Sequence, residues 1–176
     1  ILGIMPWNFP FWQVFRFAIP AILAGNTTVI KHASNVSGCC LIIEKIFANN
    51  INYQLLSSLL LPASKIKHII TDPIIKAISL TGSEKAGSSV AAISGSKIKK
   101  VLLELGGTDA FIVCEDADIN KAAHKAVLAR MLNTGQSCIA AKRFIVHKNI
   151  KKQFLKNIID ILDEMHLNNP TDSKTQ

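Results

Sequence analysis

The sequence predicts an α/β protein with a parallel sheet. Short apolar segments alternate with helical stretches along the 176 residues, and this alternation is typical of repeated strand–helix–strand units. Hydrophobic residues make up 49% of the chain and the mean hydropathy is +0.29, so the chain can bury a core and is not disordered as a whole. No internal repeat or low-complexity segment competes with this interpretation.

The first predicted helix spans Phe9 to Ala24. Pro10 suits a first helical turn, and Gly25 follows the last residue, as at many helix ends. Pro20 cannot donate a backbone hydrogen bond, so it should kink this helix or end it early. Apolar runs separated by polar loops predict the other elements of this half: an opening strand, strand 27–32, helix 37–48, strand 55–61, helix 64–71, strand 78–80 and helix 84–94.

A double glycine, Gly106-Gly107, interrupts the alternation and marks a candidate domain boundary. We therefore expect one domain over 1–106 and another over 107–176. Asp118 is a candidate N-cap for a helix that should end near Asn133. The remaining predicted elements are strands 101–105, 110–114 and 144–147 and a last helix over 150–165.

The chain is basic: twenty Lys and Arg against twelve Asp and Glu give a net charge of +8. A basic balance can indicate an anionic partner, such as nucleic acid, a membrane surface or a phosphate-bearing cofactor. The lysines are scattered, with small groups at 97–100 and 148–156, and there is no basic tail. A solvated lysine-rich surface is therefore favoured, with no nucleic-acid or membrane partner.

The four cysteines and five histidines do not form a metal-binding pattern. No cysteine pair has C-x-x-C spacing and the histidines are dispersed, so we expect no metal site. No apolar run reaches about 18 residues and no signal peptide is recognisable, which favours a cytoplasmic location. The chain opens on Ile1 rather than Met, so we expect a fragment or an open reading frame with an unusual start.

Two segments carry polar groups suited to an oxyanion or a phosphate. Asn8 lies between Pro6 and Pro10, and a side chain held in this way can direct its N–H₂ at a developing oxyanion. The alternative is an ordinary strand-to-helix turn. Gly82 and Ser83 follow a strand and open a helix, whose first N–H groups can hold a phosphate. Ser83 can also act simply as a helix cap.

Glu104 and Cys138 are the candidate reactive groups. Glu104 ends an apolar strand, where partial desolvation would suit a general base, and a salt-bridged Glu is the alternative. Cys138 lies in a loop after a long helix, where a thiol can act as a nucleophile. Taken alone, a cysteine is more often a small buried hydrophobic residue.

Five motifs occur in a fixed order along the chain: Gly3–Val14, Ala24–Asn26, Lys31–Asn35, Glu104–Gly107 and Gly135–Cys138. Together they resemble the NAD(P)-dependent aldehyde dehydrogenases over essentially the whole chain. The succinate-semialdehyde dehydrogenase branch is the most similar, through residues 31–35, 105–109 and 140–146. The resemblance implies part of a Rossmann-like parallel-sheet cofactor domain followed by the start of an α/β catalytic domain.

The resemblance also implies roles for individual residues. The Cys138 thiolate attacks the aldehyde, the Asn8 amide and the Cys138 backbone N–H stabilise the oxyanion, and Glu104 activates the hydrolytic water. The implied cofactor-binding residues are Trp7, Asn8, Lys31, Ser34, Gly82, Ser83 and Leu105. The resemblance further implies a small-molecule aldehyde as the substrate and a homo-oligomer for the full-length protein.

Ser34 bears on the choice of cofactor. Members of the family that prefer NAD often have a carboxylate at this position, where it bonds the adenine ribose and would repel a 2′-phosphate. Ser34 removes that repulsion and Lys31 can add positive charge, so we expect NADP, or both cofactors, rather than NAD alone. Because the family subunit is longer, two interpretations remain: an oxidoreductase acting on succinic semialdehyde, and an inactive truncated remnant.

Overall fold

The computed structural model describes residues 1–50, 53–173 and 175. Its contacts divide the chain into two compact units, 1–106 and 107–176, so the boundary falls within the double glycine. Each unit has its own parallel sheet and its own helices. The predicted α/β class is therefore confirmed.

The first unit is a parallel sheet with a helix after most of its strands. Its described strands follow the order β3-β2-β1-β4-β5. The bounds of its elements are β1 (Leu2–Met5), α1 (Trp12–Leu23), β2 (Thr28–His32), α2 (Ser37–Asn50), β3 (Leu56–Ser58), α3 (Ile66–Thr71), β4 (Ala77–Thr81), α4 (Glu84–Gly95) and β5 (Lys100–Glu104). All neighbouring strands run parallel, so every carboxyl end lies at the same edge of the sheet.

The strand order reverses direction at β1. The chain builds outward from β1 to β3 and then returns to the other side of β1 to add β4 and β5. Gly3 of β1 accordingly pairs with Ile30 on one side and with Ser79 on the other. Open parallel sheets bind ligands at such a reversal, in the crevice beyond the carboxyl ends of the strands.

An apolar cluster lies on each face of this sheet around its central strands. One cluster joins residues of α1 and α2 to the sheet and includes Val14, Ile43 and Phe47. The other joins α3 and α4 to the sheet and includes Ile70 and Val90. Because both faces are covered, the central strands β1 and β4 are apolar along most of their length, as buried parallel strands usually are.

Helix α1 departs from its predicted bounds. It begins at Trp12, three residues after the predicted start, and it continues through Pro20 to Leu23, so the predicted early end is wrong. Pro20 lies in the last turn, where Ala24 still donates to the Pro20 carbonyl at 3.0 Å. Because proline has no N–H, the helix lacks the bond to the carbonyl of Arg16, four residues earlier, but it does not end there. Gly25 then leaves the helix with φ +85°.

The second unit contains a two-stranded parallel sheet, β6 (Asp109–Val113) and β7 (Ala141–Val146). The crossover between them is α5 (Ile119–Met131), and α6 (Lys151–Asp163) follows β7. Phe154, Val113 and Ala126 belong to its apolar core. Asp118 caps α5 by accepting the Lys121 N–H at 3.0 Å, which confirms the predicted cap.

Within the part of the chain that the structure describes, no helix has both the length and the apolar character needed to cross a membrane.

Candidate functional site

The predicted cofactor-binding segments of the first unit lie at one edge of its sheet. Each segment follows the carboxyl end of a different strand: Trp7 and Asn8 follow β1, Ser34 follows β2, Gly82 and Ser83 follow β4, and Leu105 follows β5. Since β2, β1, β4 and β5 are consecutive in the sheet, these loops are neighbours along the edge where parallel sheets bind ligands.

The segment that carries Asn8 is fastened to the end of β2 by His32. This histidine is 4% exposed, and its Nδ1 accepts the Ala33 N–H at 3.0 Å. Its Nε2 forms a hydrogen bond with the Pro10 carbonyl at 2.8 Å, and Nδ1 also lies 3.3 Å from the Met5 carbonyl. A second link is the bond from Ala33 N–H to the Met5 carbonyl at 3.0 Å. The start and the end of the Asn8 segment are thus both held to β2.

The end of β2 lacks the carboxylate that an NAD ribose usually meets. Lys31 is half-buried on the strand and Ser34 is exposed just beyond it. The first acidic residue after β2 is Glu44, and its Oε1 accepts the Ser58 N–H at 3.0 Å on the other side of α2. A 2′-phosphate at this edge would meet the Ser34 hydroxyl and the Lys31 ammonium group, so these residues fit NADP.

Helix α4 begins directly after Gly82 and Ser83. The Ser83 hydroxyl accepts the Ala86 N–H at 3.3 Å, which confirms its role as a helix cap. The Gly82 N–H donates to the Glu104 carbonyl at 3.0 Å, so this loop is joined to the end of β5. A Cβ at Gly87 would lie only 2.6 Å from a methyl carbon of Leu105, which shows how closely α4 packs against that residue.

Glu104 is not in the partly desolvated position that the sequence suggested. Its carboxylate forms an ion pair with Arg16 at 3.0 Å, and the two side chains are 47% and 44% exposed. The structure thus contains the salt bridge named as the alternative, and the role of Glu104 as a general base stays a prediction. Both residues line a groove of about 660 Å³ between α1 and the β4–β5 edge, together with Gln13. The Gln13 Oε1 is buried and has no hydrogen-bond partner among the described residues.

Cys138 lies in a tight turn of the second unit, between α5 and β7. The turn is closed by the Ala140 N–H, which donates to the Ser137 carbonyl at 3.2 Å. Upstream, Asn133, Thr134 and Gly135 have φ values of 53°, 54° and 76°, so three consecutive residues are left-handed. This conformation is strained for a β-branched residue such as Thr134.

The free thiols occupy different environments. Cys40 is buried, and burial raises the pKa of its thiol, which makes it a poor nucleophile. Cys138 and Cys39 are half-buried and Cys114 is exposed. Among the described residues, no group of three or more His, Cys, Asp or Glu is arranged to hold a metal ion.

Two polar residues that support these segments were missed by the sequence analysis. Arg16 could have been noticed, because it is the one charged residue in α1 and therefore needs a partner. His32 gave no such signal, because its ring contacts the carbonyl groups of Met5 and Pro10, which are distant from it in the sequence.

The doubly wound parallel sheet, with polar loops at its reversal point, defines a nucleotide-binding type of α/β unit. The model of the aldehyde dehydrogenase family matches residues 1–176. The chain therefore belongs to the aldehyde dehydrogenase family, as its motifs predicted.

Individual relatives are similar over almost the whole chain. The succinate-semialdehyde dehydrogenase [NADP(+)] of Mycobacterium avium (strain 104) is 47% identical over 176 residues, which are 99% of this chain and 37% of that protein. The probable succinate-semialdehyde dehydrogenase [NADP(+)] of Synechocystis is 48% identical, over 99% of this chain and 39% of that protein. The chain thus spans less than two fifths of the length of these relatives.

Solved structures have the same fold as this chain. The succinic semialdehyde dehydrogenase of Streptococcus pyogenes in complex with NADP⁺ has a TM-score of 0.95 and 32% identity, over 99% of this chain and 39% of that one. The succinate-semialdehyde dehydrogenase of Burkholderia pseudomallei has a TM-score of 0.94 and 31% identity, over 99% of this chain and 36% of that one. The predicted relationship to this fold is confirmed.

Proposed function

We propose that the chain contains the cofactor-binding edge of the sheet, at the carboxyl ends of β2, β1, β4 and β5, and the nucleophile of an NADP-dependent succinate-semialdehyde dehydrogenase. The observation that carries this proposal is the alignment of the motif residues along one edge of a doubly wound sheet, after four neighbouring strands. The similarity to NADP-dependent succinate-semialdehyde dehydrogenases supports the substrate and the cofactor. The first domain, 1–106, would bind the cofactor, and the second, 107–176, would begin the catalytic domain.

The proposed reaction begins at the Cys138 sulfur. The thiolate adds to the aldehyde carbon and gives a thiohemiacetal, whose oxyanion accepts hydrogen bonds from the Asn8 amide and the Cys138 N–H. NADP⁺, when bound, supplies the acceptor for the hydride that leaves this carbon. Glu104 takes a proton from the water that attacks the resulting thioester, and the carbon–sulfur bond breaks to release succinate and the thiolate.

Lys31 and Ser34 support NADP as the cofactor. Their positions at the end of β2 provide a positive charge and a hydroxyl, and the nearest following carboxylate, Glu44, is engaged with Ser58. A Ser34→Glu variant tests this assignment, because it places a negative charge where the 2′-phosphate would bind. We expect the affinity for NADP⁺ to fall by about tenfold or more while binding of NAD⁺ is retained. Ser89→Glu, on the exposed side of α4, is the matched control.

Arg16 supports a substrate that bears a carboxylate. Succinic semialdehyde has a carboxylate at the end opposite its aldehyde, and a buried anion of this kind needs a cationic partner. Arg16 lines the groove and is half-exposed, so a substrate carboxylate could reach the guanidinium that pairs with Glu104 in this structure. Arginine can bind a carboxylate through two parallel hydrogen bonds, which favours a semialdehyde acid over a neutral aldehyde.

A cofactor-reduction assay tests the proposal directly. The purified chain is mixed with succinic semialdehyde and NADP⁺ or NAD⁺, and the absorbance of the reduced cofactor is followed. Cys138→Ala should abolish the reduction, whereas Cys114→Ala, which removes an exposed thiol of the same unit, should not. A folded chain that reduces neither cofactor would instead favour the inactive remnant, since the motifs would then persist without catalysis.

A further inference from the structure

The side chain of Lys142 contacts the turn that carries Cys138. This lysine is the second residue of β7, and its side chain folds back onto the turn that precedes the strand. Its Nζ lies 2.6 Å from the Cys138 carbonyl, 3.3 Å from that of Ser137 and 3.5 Å from that of Ala140. An ammonium group has three hydrogens to donate and no acceptor, so three converging carbonyl oxygens match it.

These bonds fix the two peptide planes on either side of Cys138. The Ser137 carbonyl and the Cys138 N–H belong to the same planar peptide unit, so holding the carbonyl also sets the direction of the N–H. The Ser137 carbonyl is held twice, by Lys142 and by the Ala140 N–H that closes the turn. The Cys138 carbonyl, held by Lys142 at the shortest of the three distances, fixes the following peptide unit.

The turn that Lys142 contacts follows a loop of unusual backbone conformation. Upstream, Asn133 and Thr134 are left-handed, and the Gln136 N–H donates to the Asn133 carbonyl at 3.0 Å, so the chain reaches Cys138 through tight turns rather than a helix or strand. Gly107, at the start of the unit, lies close to the turn, because a Cβ added there would be 3.5 Å from the Cys138 carbonyl oxygen. If that carbonyl moved towards Gly107, it would contact the backbone there. Ile139, between two of the clamped carbonyls, is 69% exposed and has little packing to hold it.

We propose that Lys142 is a positioning residue, which orients the Cys138 backbone N–H and the thiol through the carbonyl oxygens of the turn. This inference rests on the proposed function for its catalytic consequence, because the N–H and the thiol matter only if Cys138 is the nucleophile. Its structural part concerns the turn alone. A positioned N–H acts on the oxyanion as it develops. Losing the hydrogen bonds of Lys142 should therefore lower kcat more than it changes the affinity for the cofactor.

Amide hydrogen exchange tests the structural part in the 176-residue chain. In Lys142→Met we expect the protection of the Ala140 N–H to fall by about tenfold or more, because the bonds that steady its acceptor are lost. Lys142→Arg retains the charge and several donors and should keep the protection within about threefold. Lys148→Met, at an exposed lysine just beyond β7, should leave it unchanged. Unchanged protection in Lys142→Met would overturn the proposal.

Kinetics test the catalytic part with the same variants. We expect kcat for succinic semialdehyde to fall by about tenfold to hundredfold in Lys142→Met, with KM for NADP⁺ unchanged and kcat largely restored in Lys142→Arg. Loss of protection with an unchanged kcat overturns the proposal. If the wild-type chain reduces no cofactor but the exchange pattern is as expected, the proposed function fails and the positioning of the turn by Lys142 stands. If Lys142→Met does not fold, Lys142→Gln takes its place in both measurements.

Discussion

The cysteines of the chain differ in the surroundings of their thiols. Cys40 is a buried residue of α2, and its thiol donates to the Ser58 hydroxyl at 3.2 Å, while that hydroxyl donates back to the Cys40 carbonyl at 3.1 Å. Burial raises the pKa of the Cys40 thiol above its ordinary value. This cysteine therefore serves the packing of α2 against β3, whereas Cys138 is half-buried in a tight turn.

The raised pKa of Cys40 makes the stability of the chain depend on pH in the alkaline range. As pH rises past about 8.5, the ordinary thiol value, the unfolded chain loses this proton before the folded chain does, so the free energy of unfolding falls. The contribution of the Cys40 thiol to the free energy of unfolding is fully present below that pH and is lost as pH rises through the folded-state pKa. The free energy of unfolding falls through this group by no more than about 1.4 kcal/mol per pH unit. Urea unfolding from pH 7 to pH 10 measures it.

The variant Cys40→Ala isolates this effect from the titration of other groups. It should be less stable than the wild type near neutral pH, because it removes a buried sulfur, but its stability should fall less between about pH 8 and pH 10. Parallel curves for the two proteins over that range would show that Cys40 does not ionise at a higher pH in the folded chain.

Arg16 gives a second prediction at the scale of one side chain. In Arg16→Gln we expect KM for succinic semialdehyde to rise by about tenfold to hundredfold, because a charged hydrogen bond to the substrate carboxylate is lost. Butyraldehyde has the same carbon chain without the carboxylate, so its kcat/KM should change by less than about threefold. Lys85→Gln, at an exposed residue of α4, is the control. An equal effect on both aldehydes would remove Arg16 from substrate recognition.

At the scale of elements, the loop before Cys138 depends on one glycine. Gly135 has φ +76°, and an added Cβ would lie 3.3 Å from the Arg130 carbonyl and 3.4 Å from its guanidinium. The Arg130 guanidinium also donates to the Gly135 carbonyl at 3.3 Å, so the end of α5 and the loop are packed together. Glycine is required here by its backbone conformation and by the space available.

Replacing two glycines with alanine should have opposite effects. We expect Gly135→Ala to lower the free energy of unfolding by about 1–2 kcal/mol, because alanine is strained at a positive φ and the methyl group is crowded. Gly95→Ala, at the end of α4, meets no atom within 4 Å and should be neutral or stabilising by up to about 1 kcal/mol. Urea unfolding of both variants checks the prediction, and an equal loss in both would contradict it.

The sequence predicted the elements well where local signals were strong, as at the Asp118 cap and in β4, whose predicted core of 78–80 extends by one residue at each end. It overestimated β3, which ends at Ser58 because only three of its residues pair with β2. It also placed Glu104 in an apolar setting, since nothing in the local sequence reveals that Arg16, 88 residues away, is its partner. Local sequence patterns could not predict the contacts between residues that are distant in the sequence.

At the scale of the whole chain, strongly apolar strand positions remain exposed. Leu102 of β5 is 68% exposed and Ile112 of β6 is 67% exposed. Strand β5 is at the end of the larger sheet, and β6 belongs to a sheet of two described strands, so both present free edges. Parallel sheets are normally covered on both faces, and uncovered apolar edges favour association between chains.

We therefore expect the isolated 176-residue chain to associate as its concentration rises. Leu102→Lys and Ile112→Lys should each shift the association to higher concentrations, because a charge on an exposed strand opposes the pairing of edges. Ile98→Lys is the matched control: Ile98 is 96% exposed but lies outside the strands, in the turn before β5, with φ 54°. Sedimentation velocity over a range of concentrations measures the effect. If Ile98→Lys reduces association as much as the strand variants do, general surface hydrophobicity drives it, and the free strand edges are not its cause.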